Sequence, residues 1–162
     1  MRGRMLPASR ERIHFEYSVW DAWKADWRVN KHNAKARFPN LRIVYLGSRT
    51  YGGYSGGALN PEPYAYEGAF ASRWLIQNQI KGDAALNYDL ERGAVKAPLV
   101  LWGPYLWADG VTPRKDDGLV WERKDFGPDG VHPSESGRKK VSDQLLKFFK
   151  TDATAKPWFV GK

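Results

Sequence analysis

Two short stretches stand out along the chain because polar residues almost vanish from them. Leu41-Arg42-Ile43-Val44-Tyr45-Leu46-Gly47 and Pro98-Leu99-Val100-Leu101-Trp102-Gly103 are nearly continuous apolar runs. Such runs predict strands of a sheet covered on both faces, since a half-exposed strand would alternate. Between them, residues 64–80 place Tyr66, Ala69, Phe70, Arg73, Trp74 and Ile80 near one face of a helix, which Lys81-Gly82 ends. A second helix is predicted over 134–149, with Val141, Leu145, Leu146 and Phe149 on its buried side. A third runs from a Ser9 cap to about Ala36, where Ile13, Tyr17, Trp20, Trp23 and Trp27 make a packing stripe before Phe38-Pro39-Asn40 breaks it. Leu119-Val120-Trp121 predicts one more short strand. Helices alternating with buried strands indicate an α/β domain with a parallel sheet. Two long polar connections, 48–63 and 104–133, remain, and loops of that length in a compact domain are usually functional.

Composition narrows the classes. The chain has 162 residues, one domain's worth, and no Cys. The missing thiols exclude a disulfide scaffold, a cysteine–zinc site, an iron–sulfur cluster and a thiol nucleophile. No apolar run approaches the roughly 20 residues that a membrane helix needs, and no apolar stretch follows the basic start, so neither a membrane nor a secretory signal is expected. A cytoplasmic location is the corresponding expectation. The net charge of +8 comes from 26 Lys and Arg against 18 Asp and Glu. Nearly all of the excess lies in the first 50 residues, beside Trp20, Trp23 and Trp27. That combination suits a nucleic-acid patch with stacking indoles, or a solvated helix face. Interleaved Glu11, Glu16, Asp21 and Asp26 favour the solvated face, and nucleic acid is not the expected partner.

The sharpest chemistry is Asp129-Gly130-Val131-His132-Pro133-Ser134. A neutral imidazole takes the proton of a serine hydroxyl as that hydroxyl attacks a carbonyl. A carboxylate on the other ring nitrogen fixes the tautomer and stabilises the imidazolium. Three residues of separation across a turn let Asp129 reach back to His132, and Ser134 can cap the helix behind. Two serines are candidate nucleophiles. Ser55 sits in Gly53-Tyr54-Ser55-Gly56-Gly57, a G-x-S-x-G string whose Gly56 and Gly57 N–H groups would face an oxyanion. Ser48 follows the first strand directly, at the carboxyl end where α/β sites sit. Trp102, Tyr105 and Trp107 flank the region and would line an apolar acyl pocket. Asp116, Asp117, Asp125 and Asp129 offer hard oxygens of the kind Ca²⁺ or Mg²⁺ takes, but their spacing fits no EF-hand and reads as a solvated acidic turn. No cofactor is expected.

The string from Asp129 through Pro133-Ser134-Glu135-Ser136-Gly137 resembles the C-terminal block of SGNH (GDSL-like) hydrolases. Residues 38–46, Ser48-Arg49-Thr50-Tyr51-Gly52-Gly53-Tyr54, residues 61–67 and the tail to Trp158 are similar to a bacterial, mostly uncharacterised branch of that family. The resemblance covers roughly 34–159. It implies a three-layer α/β/α sandwich with a parallel sheet, hydrolysis of carboxylic esters, His132 as base and Asp129 as its orienting acid. The family's opening Gly-Asp-Ser block is not visible, and residues 1–33 form an unrelated basic, Trp-rich helical segment ahead of the 34–162 half domain. The sandwich is therefore expected to be incomplete. The expected function is hydrolysis of small carboxylic esters or lactones. The alternatives are a non-catalytic remnant that binds a ligand or partner, and a basic nucleic-acid-binding module. A sheet of so few strands has open edges, so a homodimer joined through the 41–47 strand or the N-terminal helix is expected.

Overall fold

The computed structural model describes Lys35 and residues 37–57 and 61–161. The helix expected from Ser9 to about Ala36, with its tryptophan stripe, lies almost wholly outside the described residues. In order, the elements are β1 (Ile43–Leu46), α1 (Tyr64–Ile80), β2 (Leu99–Trp102), α2 (Glu135–Thr151) and α3 (Lys156–Phe159). β1 and β2 pair in a two-stranded sheet. The Leu99 N–H donates to the Arg42 carbonyl and the Gly103 N–H to that of Leu46, so both strands advance four residues in the same direction and run parallel. The fold is mixed α/β. No described helix is long and apolar enough to cross a membrane.

The described chain forms two compact units. One comprises the residues up to Ile43 with Gln77–Leu99. Its centre is the end of α1. Gly82, at φ +85°, lets the Asp83 N–H reach the Asn78 carbonyl and its own N–H reach that of Gln79. That is the left-handed stop which only glycine makes without strain. The buried Gln79 amide then donates to the Leu86 and Pro98 carbonyls, tying a 3-10 turn to the entry of β2.

The other unit comprises Val44–Ile76 and the chain from Val100 onward. Its core is Ala108, Leu119, Trp121 and Phe126, with Tyr51, Tyr54 and Val141 packed against them. α2 begins where Ser134 accepts the Gly137 N–H, as the cap expectation requires. Tyr45 from β1 gathers Phe148 and Phe149 from the end of α2 and Trp158 from α3, with ring centroids 5.2, 6.0 and 6.2 Å away.

Several expectations are corrected. The sheet is not covered on both faces, since only Leu46 in β1 and Val100 in β2 are buried and Trp102 is exposed. Leu119-Val120-Trp121 is not a strand. Trp121 is buried by fixing its N–H to the Gly110 carbonyl and its indole to that of Leu106. α1 has the expected bounds, but the side it buries shares only Ala69 with the face singled out in the sequence. Ala65, Ala69, Ser72, Leu75 and Gln79 face inward, while Tyr66 and Trp74 are exposed and stack through Phe70. In α2, Leu146 is exposed and Phe148 is half-buried beside Tyr45.

Candidate active site

The Asp129–His132 segment is a tight loop closed at its base. Phe126 and Pro133 form an isolated antiparallel bridge. The Gly127 N–H donates to the His132 carbonyl at 2.7 Å, and the Gly130 N–H to the Gly127 carbonyl at 3.0 Å. Inside the loop, Asp129 Oδ1 accepts the N–H groups of Val131 and His132 at 2.9 and 3.0 Å. Its Oδ2 lies 2.5 Å from His132 Nδ1. The imidazole, followed by these two N–H groups, holds the Asp129 carboxyl well below the usual carboxylate range. An ionised carboxylate accepts only, so the network assigns the neutral ring's proton to Nδ1 and leaves the Nε2 lone pair outward. The His132 side chain is 75% exposed and that of Asp129 48%. Nε2 has no hydrogen-bond partner among the described residues.

Beneath the loop lies a buried ion pair. Asp125 is completely buried, and its carboxylate accepts the Glu122 N–H at 2.8 Å, the Ser136 hydroxyl at 2.8 Å and the Lys140 ammonium at 2.5 Å. Burial alone would raise this carboxyl. The Lys140 ammonium, the Glu122 N–H and the Ser136 hydroxyl override it and leave it below its ordinary value. The Asp125 carbonyl accepts the Ser134 N–H at 2.9 Å, and Gly137 sits so close to that carbonyl that a Cβ would collide with it. Asp125, Lys140 and Gly137 thus seat the dyad loop on the first turn of α2. In the sequence Asp125 stands out only as part of an acidic turn and Gly137 only within the family resemblance, and Lys140 carries no motif of its own.

The Ser55 loop is docked on the dyad loop. The Gly56 N–H donates to the Asp129 carbonyl at 3.3 Å. Gly130, at φ +71°, abuts the Tyr54 carbonyl so tightly that a Cβ would overlap it. The Tyr54 hydroxyl anchors the loop on the Trp121 carbonyl at 3.0 Å. The two regions singled out in the sequence are therefore neighbours, but the local geometry differs from expectation. Ser55 lies in a turn closed by its N–H on the Gly52 carbonyl, and among the described residues 47–57 no strand leads directly into it and no helix begins at it, unlike the strand-to-helix elbow that G-x-S-x-G implies. The Ser55 hydroxyl donates to the Gly57 carbonyl at 3.1 Å and receives the Gly57 N–H at 3.5 Å. Both N–H groups expected to hold an oxyanion, Gly56 and Gly57, are thus engaged within the chain.

Ser48 has a structural task. It is 7% exposed, accepts the N–H groups of Leu106 and Trp107 at 2.6 and 3.0 Å, and donates to the Arg49 carbonyl at 3.2 Å. Its oxygen fastens the chain after β1 to the chain after β2. Ser48→Ala leaves two N–H groups without their acceptor and is expected to cost about 1–3 kcal/mol, read as a lower urea midpoint. An unchanged midpoint would refute this role.

The expected pocket aromatics divide. Trp102 stacks on Tyr105 at 6.4 Å, and Arg114 lies 5.7 Å from the Tyr105 ring centroid. Trp107 donates its indole N–H to Glu62 at 2.8 Å. Glu62 also accepts the Gly52 and Tyr66 N–H groups, a three-way tie that no sequence motif announced. None of the hydrogen bonds or ring contacts of these three aromatics reaches Asp129 or His132. The acidic residues do not converge either. Asp117 forms a two-pronged pair with Arg114, which holds its carboxyl well below the ordinary range, and Asp125 is held by Lys140. Asp116 is exposed, and no metal-binding group of three or more His, Asp or Glu is found among the described residues. Comparison with protein-family models, curated proteins and solved structures returned no match.

Proposed function

We propose that the chain is a serine hydrolase of small carboxylic esters or lactones, with His132 as base and Asp129 as its orienting acid. The observation that carries this reading is the Asp129 Oδ2–His132 Nδ1 contact of 2.5 Å, which leaves Nε2 open. In the proposed cycle Nε2 takes the proton of a serine hydroxyl as its oxygen bonds to the ester carbonyl. The imidazolium returns that proton to the departing alkoxide, giving an acyl-serine and an alcohol. Water, deprotonated at Nε2, then adds to the acyl carbon, and the serine leaves with the proton. A lactone opens by the same steps. Ser55 is the favoured nucleophile, because its loop rests on the Asp129 carbonyl and on Gly130. Trp102 and Tyr105 are the proposed apolar contacts for the acyl chain. The proposal extends the mixed α/β fold to an incomplete form of the SGNH-type three-layer α/β/α sandwich, and the assembly to a homodimer.

A fluorophosphonate probe tests the reading, because it marks only a serine that is already activated. The wild-type chain is expected to label and Ser55→Ala to lose the label. Labelling of neither protein would favour the second reading, a non-catalytic remnant. The engagement of both Gly56 and Gly57 N–H groups within the chain is the observation on that side. The nucleic-acid reading rests on residues 1–50, most of which, with Trp20, Trp23 and Trp27, lie outside the described part of the chain.

A further inference from the structure

Arg123 opens a single 3-10 turn, Arg123–Asp125, just before the dyad loop. Its side chain is exposed, yet it makes no ion pair among the described residues. Instead one guanidinium nitrogen, Nη1, donates to the Phe126 carbonyl at 3.2 Å and the Gly127 carbonyl at 2.8 Å. The other, Nη2, donates to the Pro128 carbonyl at 3.0 Å. Three consecutive carbonyls therefore converge on one cation, and the next residue is Asp129. Turning three peptide dipoles inward is unfavourable without a positive group at their centre, and a planar fork matches that arc better than a point-like ammonium.

The clamp acts on the residues that define the loop's base. Gly127 offers its N–H to the His132 carbonyl and its carbonyl to Arg123. The Gly127–Pro128 peptide has no N–H, so its orientation depends on its carbonyl, which Arg123 holds, and the Arg123 bond to the Pro128 carbonyl holds the next peptide, the one that carries the Asp129 N–H. The Asp129 carboxylate must meet two backbone N–H groups and Nδ1 together, which tolerates little rotation of the preceding peptide.

We infer that Arg123 is a positioning residue for the Asp129–His132 pair, holding the peptides ahead of Asp129 so that the carboxylate stays on Nδ1. The inference rests on the reading of that pair as the catalytic base, but its test does not require turnover. The full chain is labelled with ¹⁵N, and the ring resonances of His132 are identified by their loss in His132→Gln. In the neutral ring the Nδ1–H tautomer is expected to dominate. In Arg123→Ala the ratio should move several-fold toward the Nε2–H tautomer that a free imidazole prefers. Added methylguanidinium should restore part of it, and Arg123→Lys should fall between. A simple loss of stability would not move the ratio within the folded population.

An unchanged tautomer ratio in folded Arg123→Ala would overturn the inference. Should that variant not fold, Arg123→Lys decides: an intermediate ratio supports the clamp, and a wild-type ratio overturns it. Where turnover is present, kcat should fall on the order of 10-fold at unchanged KM. A wild-type chain with no turnover but with the tautomer shift intact would count against the hydrolase reading and leave the clamp standing.

Discussion

His132→Ala is expected to reduce hydrolysis of a p-nitrophenyl ester to the background of the buffer, and Asp129→Asn to lose about 10²–10⁴-fold while staying folded. The second loss follows from how Asp129 is held. Its Oδ1 is fixed by the Val131 and His132 N–H groups. In the Asp129→Asn variant the amide oxygen must keep that place, which turns the NH₂ group toward Nδ1. Nδ1 then has to accept, the ring proton moves to Nε2, and the base is lost at the atom that needs it. The loop itself keeps its backbone bonds, so the melting temperature should change little. Turnover by His132→Ala equal to that of the wild type would remove the dyad from the mechanism.

Lys140→Met should cost about 3–5 kcal/mol of stability at neutral pH, because it strips the cation from a fully buried carboxylate and keeps the hydrophobic stem. Lys140 also donates to the Val120 carbonyl and lies over the Trp121 ring at 5.8 Å, so the core feels the change directly. The pH dependence fixes the sign. In the wild type the Asp125 carboxyl is held below its unfolded value, so its contribution is present above the ordinary carboxylate range and is lost as pH falls. Without Lys140, burial dominates and raises the same carboxyl, so protonation stabilises the variant. Urea denaturation should therefore show the gap between the two proteins narrowing from neutral pH to about pH 4, near the ordinary aspartate value. A gap that is constant with pH would mean that packing, not charge, accounts for the loss.

The elements with local signals were legible. α1 ran from Tyr64 to Ile80 as its periodicity and Gly82 predicted, and α2 began behind its Ser134 cap. Both strands were visible as apolar runs because backbone pairing needs nothing else in the sequence. The buried side of α1 was less legible for a physical reason. Tyr66, Phe70 and Trp74 form a bulky aromatic row, but most of the residues the helix buries are small or aliphatic ones, Ala65, Ala69, Ser72 and Leu75, which carry less of a sequence signal. The Asp129–His132 pair was readable because both partners lie within one turn. The approach of Ser55 to that turn was not, since it runs through a Gly56 N–H, a carbonyl and a missing Cβ, none of which leaves a side-chain pattern. Arg123 and Glu62 escaped notice for the same reason, as most of their partners are main-chain atoms.

The long connection between β2 and α2 keeps its shape largely without helix or sheet. Arg114 holds the Tyr105 and Trp107 carbonyls, Ser48 the Leu106 and Trp107 N–H groups, and Trp121 the Leu106 carbonyl. A helix survives sequence drift because any residue but proline can supply its ladder. Here each tie depends on one particular side chain, and there is no repeating ladder to substitute for it. This segment therefore has little latitude to change by single steps, and new specificities would arise more readily at the exposed Trp102 and the half-buried Tyr105 stacked on it than along its length.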